Sequence, residues 1–206
     1  MSKITSTQLH LGEDTAASGD TAGQGQIWVK SDAPCSLYYT GDTGIDNRIS
    51  GITLNTAIDT SSGAQSYDVA NIPPGVKRIT LLLAGVSLSG SEKFMVQLGT
   101  GGSPTTSGYL GGADYDSAGG GINLSSGFQT NDWSSGKIGH GAIRFWLQNA
   151  SNNTWVCDAR IKFSNGVEHT RQFAGSVPLS GTLDMLKIKN TGTNTFTAGT
   201  IGVQFV

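Results

Sequence analysis

The sequence predicts an all-β protein: an antiparallel β-sandwich head, jelly-roll-like, with an N-terminal extended arm and a β-hairpin ahead of it. Three observations carry this. Apolar and β-branched residues fall into about eight short runs between residues 72 and 206, each closed by Gly, Pro, Asn or Ser. No stretch shows the 3.6-residue apolar period of an amphipathic helix. Thirty of 206 residues are glycine and only 14% are charged. The usual shares are roughly 7% and 25%, and the departure suits stacked sheets joined by tight turns.

The elements follow in order. Residues 1–25 are small and polar, TAASGDTAGQGQ among them, and read as an extended arm. Gln26-Ile27-Trp28-Val29-Lys30 and Ser36-Leu37-Tyr38-Tyr39-Thr40 flank a turn containing Pro34, which is the pattern of a β-hairpin. Alternation puts Ile27 and Val29 on one face and Trp28 on the other. A lone hairpin is marginal in water, so it must pack on something. Ile27, Trp28, Val29, Leu37, Tyr38 and Tyr39 are therefore the candidate attachment interface. Trp28, Tyr38 and Tyr39 are its expected anchors, because buried aromatics carry most interface energy. Residues 41–70 are turn-rich and read as a linker with one or two short strands, 49–54 among them. The attachment region is thus 26–70 and the head domain 71–206.

Ile72-Pro73-Pro74-Gly75 opens the head. The run 76–86 is apolar at odd and even positions toward its end, as in a strand covered on both faces. Residues 94–98 form a second strand. Residues 99–121 hold nine glycines and read as a long functional loop. Strands follow at 142–147, at 154–163 and, across the Ser164-Asn165-Gly166 turn, at 167–173. The last are 182–189, 195–197 and 200–206. The terminal strand is apolar to its end and must be buried.

Formal charge is 13 − 15 = −2, which argues against a nucleic-acid partner, since binding by counterion release needs a basic face. No apolar run reaches 18 residues, so membrane insertion by a helix is not expected. The N-terminus lacks an apolar export core, so secretion is not expected, and the sequons at Asn123, Asn149 and Asn152 carry no glycosylation signal without it. Cys35 and Cys157 lack metal or redox spacing; they are free thiols packed as small apolar groups, or a disulfide that only geometry can show.

Little in the chain suggests turnover. His10, His140 and His169 share no metal-ligand spacing. Gly85-Val86-Ser87-Leu88-Ser89-Gly90 misses the G-x-S-x-G nucleophile elbow by one residue. Gly136-Lys137-Ile138-Gly139 lacks the GK[ST] of a phosphate loop. Asp114 and Asp116 form the best carboxylate pair for a glycosidase or for Ca²⁺, though Ala118 breaks the EF-hand pattern. No cofactor or metal is expected. Sugar binding is the most credible activity, since sugars take flat aromatic faces with amides and carboxylates around them. Tyr109, Asp114, Tyr115, Asp116 and Trp133 are the candidate glycan contacts, with Phe128, Asn131 and Asp132 beside them. The alternative role for these aromatics is the core or a subunit interface.

Several segments in fixed order carry a resemblance: Ile72-Pro73-Pro74-Gly75-Val76-Lys77-Arg78-Ile79-Thr80, Gly85-Val86-Ser87, Val96-Gln97-Leu98-Gly99, Ser107-Gly108-Tyr109-Leu110, Thr154-Trp155-Val156, Leu179-Ser180-Gly181-Thr182-Leu183-Asp184 and Thr195-Phe196-Thr197-Ala198-Gly199. Residues 70–206 so resemble the C-terminal domain of tailed-phage and prophage tail-fibre proteins. The stretch Gly23-Gln24-Gly25-Gln26-Ile27-Trp28-Val29-Lys30 through Gly41-Asp42 resembles a short element near the start of phage virion proteins. The resemblance implies a non-enzymatic virion structural protein, β-rich and homotrimeric, on the particle surface. Its partners would be further copies of itself, other tail or capsid proteins, and host-surface glycan. The long fibre shaft is missing, which leaves two roles open: a short tail fibre or appendage that recognises host glycan, and a capsid decoration protein that stabilises the head. A carbohydrate-binding or polysaccharide-degrading protein is the third.

Overall fold

The computed structural model describes residues 13–14, 25–31, 36–40, 46–49, 53–54, 57–115, 121–165 and 170–206. The chain divides into two units, Met1–Ile52 and Thr53–Val206.

The first unit is a four-stranded sheet of β1 (Glu13–Asp14), β2 (Gln26–Lys30), β3 (Ser36–Thr40) and β4 (Asp46–Arg48), paired in chain order. β2 and β3 are antiparallel with Trp28 opposite Tyr38 and Ile27 opposite Tyr39, so the expected hairpin forms with the expected faces. β1 runs parallel to β2, so this part of the predicted arm is a strand. The rest of the arm, Gly25 apart, lies outside the described residues.

The second unit begins with β5 (Thr53–Leu54), β6 (Ile58–Asp59), a 3₁₀ turn at Thr60–Ser62, β7 (Ser66–Val69), β8 (Arg78–Leu88), β9 (Phe94–Thr100) and β10 (Ser103–Pro104). It continues with β11 (Leu110–Tyr115), β12 (Ile122–Asn123), β13 (Phe128–Gln129), β14 (Gly139–Asn149) and β15 (Thr154–Phe163). It closes with β16 (Arg171–Pro178), β17 (Met185–Asn190) and β18 (Phe196–Phe205). Every pairing in this unit is antiparallel. The larger sheet has the order β12-β11-β16-β15-β14-β8-β18-β5, with β6 also on β18; the smaller has the order β10-β9-β17-β7, with β13 on β9. The inner faces of the two sheets meet in one core. Phe94 crosses Phe196 at 6.0 Å, and Phe128 tilts against Phe145 at 5.7 Å. The fold is an all-β sandwich.

Strand β15 shows why the layers form. Trp155, Cys157, Ala159, Ile161 and Phe163 point inward and are buried, while Asp158, Arg160 and Lys162 point out. Period-two alternation leaves the chain no other way to hide its apolar set. The same pattern puts Leu81 and Leu83 inside and Leu82 outside. The expectation of a doubly covered strand there is thus met only at Val86-Ser87-Leu88, which are all buried. The terminal strand is buried as expected, with Ile201, Val203 and Phe205 in the core. It is one strand from 196 onward, not two. Register shifts at Ala198 absorb a left-handed Gly199 (φ 92°), packed so close to Gly85 that any Cβ would clash.

Two boundaries differ from expectation. Residues 53–70 belong to the sandwich, because β5 and β6 pair with β18 and β7 pairs with β17. Small polar residues disguise these short strands. What anchors them is Val69 in the core, Tyr67 edge-on to Phe196 at 5.4 Å, and the buried Thr60 hydroxyl donating to the Ala198 carbonyl at 2.6 Å. The glycine-rich segment 99–121 is not one loop either, since β10 and the six-residue β11 lie within it. Gly111 (φ 131°) faces Gly175 across β11 and β16, and a Cβ on either would strike the partner backbone. Glycine here permits close strand approach rather than looseness. Beyond the Asn165 turn, β16 runs over Arg171–Pro178 with Thr170 outside it; residues 166–169, where the sequence places the start of this strand, lie outside the described ones.

Candidate functional site

The outward face of the larger sheet carries a concavity of about 670 Å³ at the β12 end. Strand register builds it. Asp114 on β11 stands opposite Gln172 on β16, which stands opposite Arg160 on β15, which stands opposite Ala142 on β14. One pleat along the strands, Gly112, Ala174, Asp158 and Arg144 form the next row. Strand β12 pairs along β11 and brings Ile122 and Asn123 to the edge. The room comes from Gly112 and Ala174, which put a hydrogen and a methyl where the flanking positions carry long polar chains. Beyond this row lie Leu110, Ser176, Val156 and Trp146, and Leu110 is well exposed.

The lining is a mixed set of donors and acceptors: two guanidinium groups, two carboxylates and the amides of Asn123 and Gln172. Arg144 Nη1 lies 3.6 Å from Asp158 Oδ2, both about half exposed. Such a pair contributes under about 1 kcal/mol to stability, so both groups can exchange partners at little cost. Strands of an eight-strand sheet path hold all of these side chains in fixed rows, which is the preorganisation a polar ligand needs.

Of the sequence-predicted glycan contacts, Asp114 is brought to this concavity. Tyr109 and Trp133 are not, and both expectations are corrected. Tyr109 is only 2% exposed; its hydroxyl accepts from the Leu98 N–H at 2.9 Å and donates to the Thr105 carbonyl at 3.1 Å. Burial drives its pKa above the ordinary tyrosine range. Trp133 is fully buried between Phe94 (5.5 Å) and Phe163 (4.9 Å), and its N–H donates to the Lys137 carbonyl. Phe128 is likewise core. A two-layer sandwich must fill its interior with its largest apolar groups, and glycine neighbours do not reveal which way an aromatic points. Asp132 pairs instead with Arg171. Tyr115 ends β11 opposite Arg171; its side chain and all of Asp116 lie outside the described residues.

Sequence reasoning missed Arg144, Asp158, Arg160, Gln172 and Asn123. The run Asp158-Ala159-Arg160-Ile161-Lys162 signals a polar outward face, but which strands would neighbour it is set by non-local pairing.

In the first unit the anchor set also changes. Trp28 is buried, stacked on Tyr38 at 5.1 Å, and its N–H donates to Thr40 Oγ1 at 2.8 Å. These two hold their own sheet together. Ile27 (57% exposed) and Tyr39 (44%) stand side by side on the opposite face, with Val29 and Leu37 half-buried beside them.

Other chemistry finds little footing. His140 Nδ1 accepts the Gly85 N–H at 3.3 Å, so the neutral ring carries its proton on Nε2, facing Ser164 Oγ at 3.2 Å. That tautomer donates to the serine and does not deprotonate it. Cys157 is a free buried thiol whose pKa burial raises well above the ordinary value; Cys35 lies outside the described residues. Among the described residues no three His, Cys, Asp or Glu side chains gather as a metal site, and no helix is long and apolar enough to cross a membrane.

No protein-family model matches this chain, and neither a curated protein nor a solved structure matches it.

Proposed function

We propose that this chain is a phage virion structural protein, a short tail fibre or appendage that binds host-surface glycan without cleaving it. The sandwich meets the glycan at the concavity on the outward face of the larger sheet. The N-terminal sheet attaches to the particle through the face bearing Ile27 and Tyr39.

The observation that carries the glycan assignment is the concavity itself: a floor of Gly112 and Ala174 ringed by Asp114, Asn123, Arg144, Asp158, Arg160 and Gln172. Sugar hydroxyls both donate and accept, and this ring offers carboxylate acceptors beside guanidinium and amide donors. Asp114 and Asp158 stand on strands separated by β16 and two residues apart along them, so their backbones lie roughly 12 Å apart. That spacing suits two hydrogen-bonding points better than the carboxylate pair of a glycosidase, about 5 Å apart in retaining enzymes and about 6.5–9.5 Å in inverting ones. Each hydrogen bond adds about 1 kcal/mol net, so a single site binds in the millimolar range, near −4 kcal/mol. Trimeric display of many copies on a particle, as the tail-fibre resemblance implies, would multiply such contacts into firm adhesion.

Calorimetric titration of the full chain with host-surface polysaccharide tests this. Ala174→Leu fills the floor from the solvent side and should weaken binding at least tenfold with an unchanged melting temperature and unchanged polysaccharide length. Wild-type affinity in that variant would overturn the assignment.

A further inference from the structure

We infer that the sugar bound in this concavity is acidic, its carboxylate held by Arg160. The inference rests on the glycan assignment above and adds the ligand's chemical class.

Among the ionised side chains lining the concavity, Arg160 alone has no partner among the described residues. Arg144 is engaged by Asp158 at 3.6 Å, and Asp114 is held by a contact of its own. Arg160 projects outward from the middle of β15, flanked in register by Gln172 on one side and Ala142 on the other. Neither neighbour carries charge, and Ala142 leaves space beside the guanidinium. An exposed guanidinium on a rigid central strand presents a planar fork of donors that matches a carboxylate with two parallel hydrogen bonds. The Gln172 amide next to it offers a donor and an acceptor to the adjoining ring hydroxyl.

The charge of the whole face points the same way. The chain is net negative, −2. Yet the outward positions of β8, β14, β15 and β11 carry Arg78, Arg144, Arg160 and Lys162 against Asp114 and Asp158. Four cations stand against two anions on these four strands, and with Asp59 of β6 counted the described outward face still holds more cations than anions on an acidic protein. The field of that excess draws an anionic chain in and repels little of what it should bind. A neutral glycan keeps the hydrogen bonds of the ring but gains nothing from the field.

The test compares two oligosaccharides of equal length, one carrying glucuronic acid where the other carries glucose, titrated against the full chain at low and moderate salt. The wild type should bind the acidic one at least tenfold more tightly, with the advantage shrinking as salt rises. Arg160→Gln should erase the preference, the acidic sugar then binding no more tightly than the neutral one, and Arg160→Lys should restore only part of it. Equal affinity of the wild type for both, or a preference that survives Arg160→Gln, would overturn the acidic assignment and leave the glycan site standing. Binding of neither would overturn both. A chain that binds short DNA as tightly as the acidic sugar would show a generic anion surface and would also overturn the carboxylate assignment.

Discussion

Arg171 Nε lies 2.5 Å from Asp132 Oδ1, with the guanidinium 5.2 Å from the centre of the Phe163 ring. Arg171 is 4% exposed and Asp132 is half exposed. This pair pins the first residue of β16 to the loop that delivers Trp133 to the core, so a buried cation is tolerated because an anion and an aromatic face meet it.

The two halves of that pair should respond unequally. Asp132→Asn leaves a buried cation short of its counter-charge and should cost about 2–3 kcal/mol. Arg171→Met removes the cation, keeps packing on Phe163 and leaves a carboxylate that water already reaches, so its loss should be nearer 1 kcal/mol. Urea denaturation of both variants gives the order; a larger loss for Arg171→Met would contradict it.

Trp133→Ala should destabilise the sandwich by about 3–5 kcal/mol through the cavity it leaves. Asp114→Ala, on the outward face, should stay within about 0.5 kcal/mol of wild type. Thermal melts distinguish a core residue from a surface one in this way, and a mild Trp133→Ala would restore it as a candidate sugar platform.

Ile27→Asp with Tyr39→Ala should leave the N-terminal sheet folded and block incorporation into particles. Trp28→Ala should unfold that sheet, because it removes the stack on Tyr38 and the hydrogen bond to Thr40 together. Particle pull-down with circular dichroism of the free chain reads both effects. Normal incorporation of the double variant would remove the attachment face.

Stability should fall on the alkaline side. Burial holds the Cys157 thiol and Tyr109 hydroxyl protonated in the fold, above their ordinary values of 9.0 and 10.0. The unfolded chain releases these protons first, so the native state binds more of them. This contribution is complete below about pH 9 and is lost as pH rises beyond it. The urea midpoint should therefore drop above pH 9 in wild type and drop less steeply in a Tyr109→Phe, Cys157→Ala variant. Parallel curves would contradict this.

The fold was legible where residues alternate strongly: the hairpin around Trp28 and Tyr38 in the first unit, and β15 and the buried C-terminal strand in the sandwich, all follow from a period of two. Strands β6, β7 and β11 were not, because their residues are mostly small or polar and their order comes from partners far along the chain; β5 falls within the short strand expected at 49–54, but its place in the sandwich was not legible. The site fell between these cases. Asp114 was legible as a polar group beside glycine. Its neighbours Gln172, Arg160 and Arg144 are assembled by pairing across four strands, and local pattern carries no trace of that order. Tyr109 and Trp133 misled because composition marks an aromatic without marking its direction.

The strict in-and-out order of β15 has an evolutionary consequence. Exchanging Asp158, Arg160 or Lys162 changes the chemistry of the outward face without disturbing Cys157, Ala159 or Ile161 beneath them. A lineage can therefore vary that face by single substitutions on one ribbon, and each trial starts from an intact scaffold.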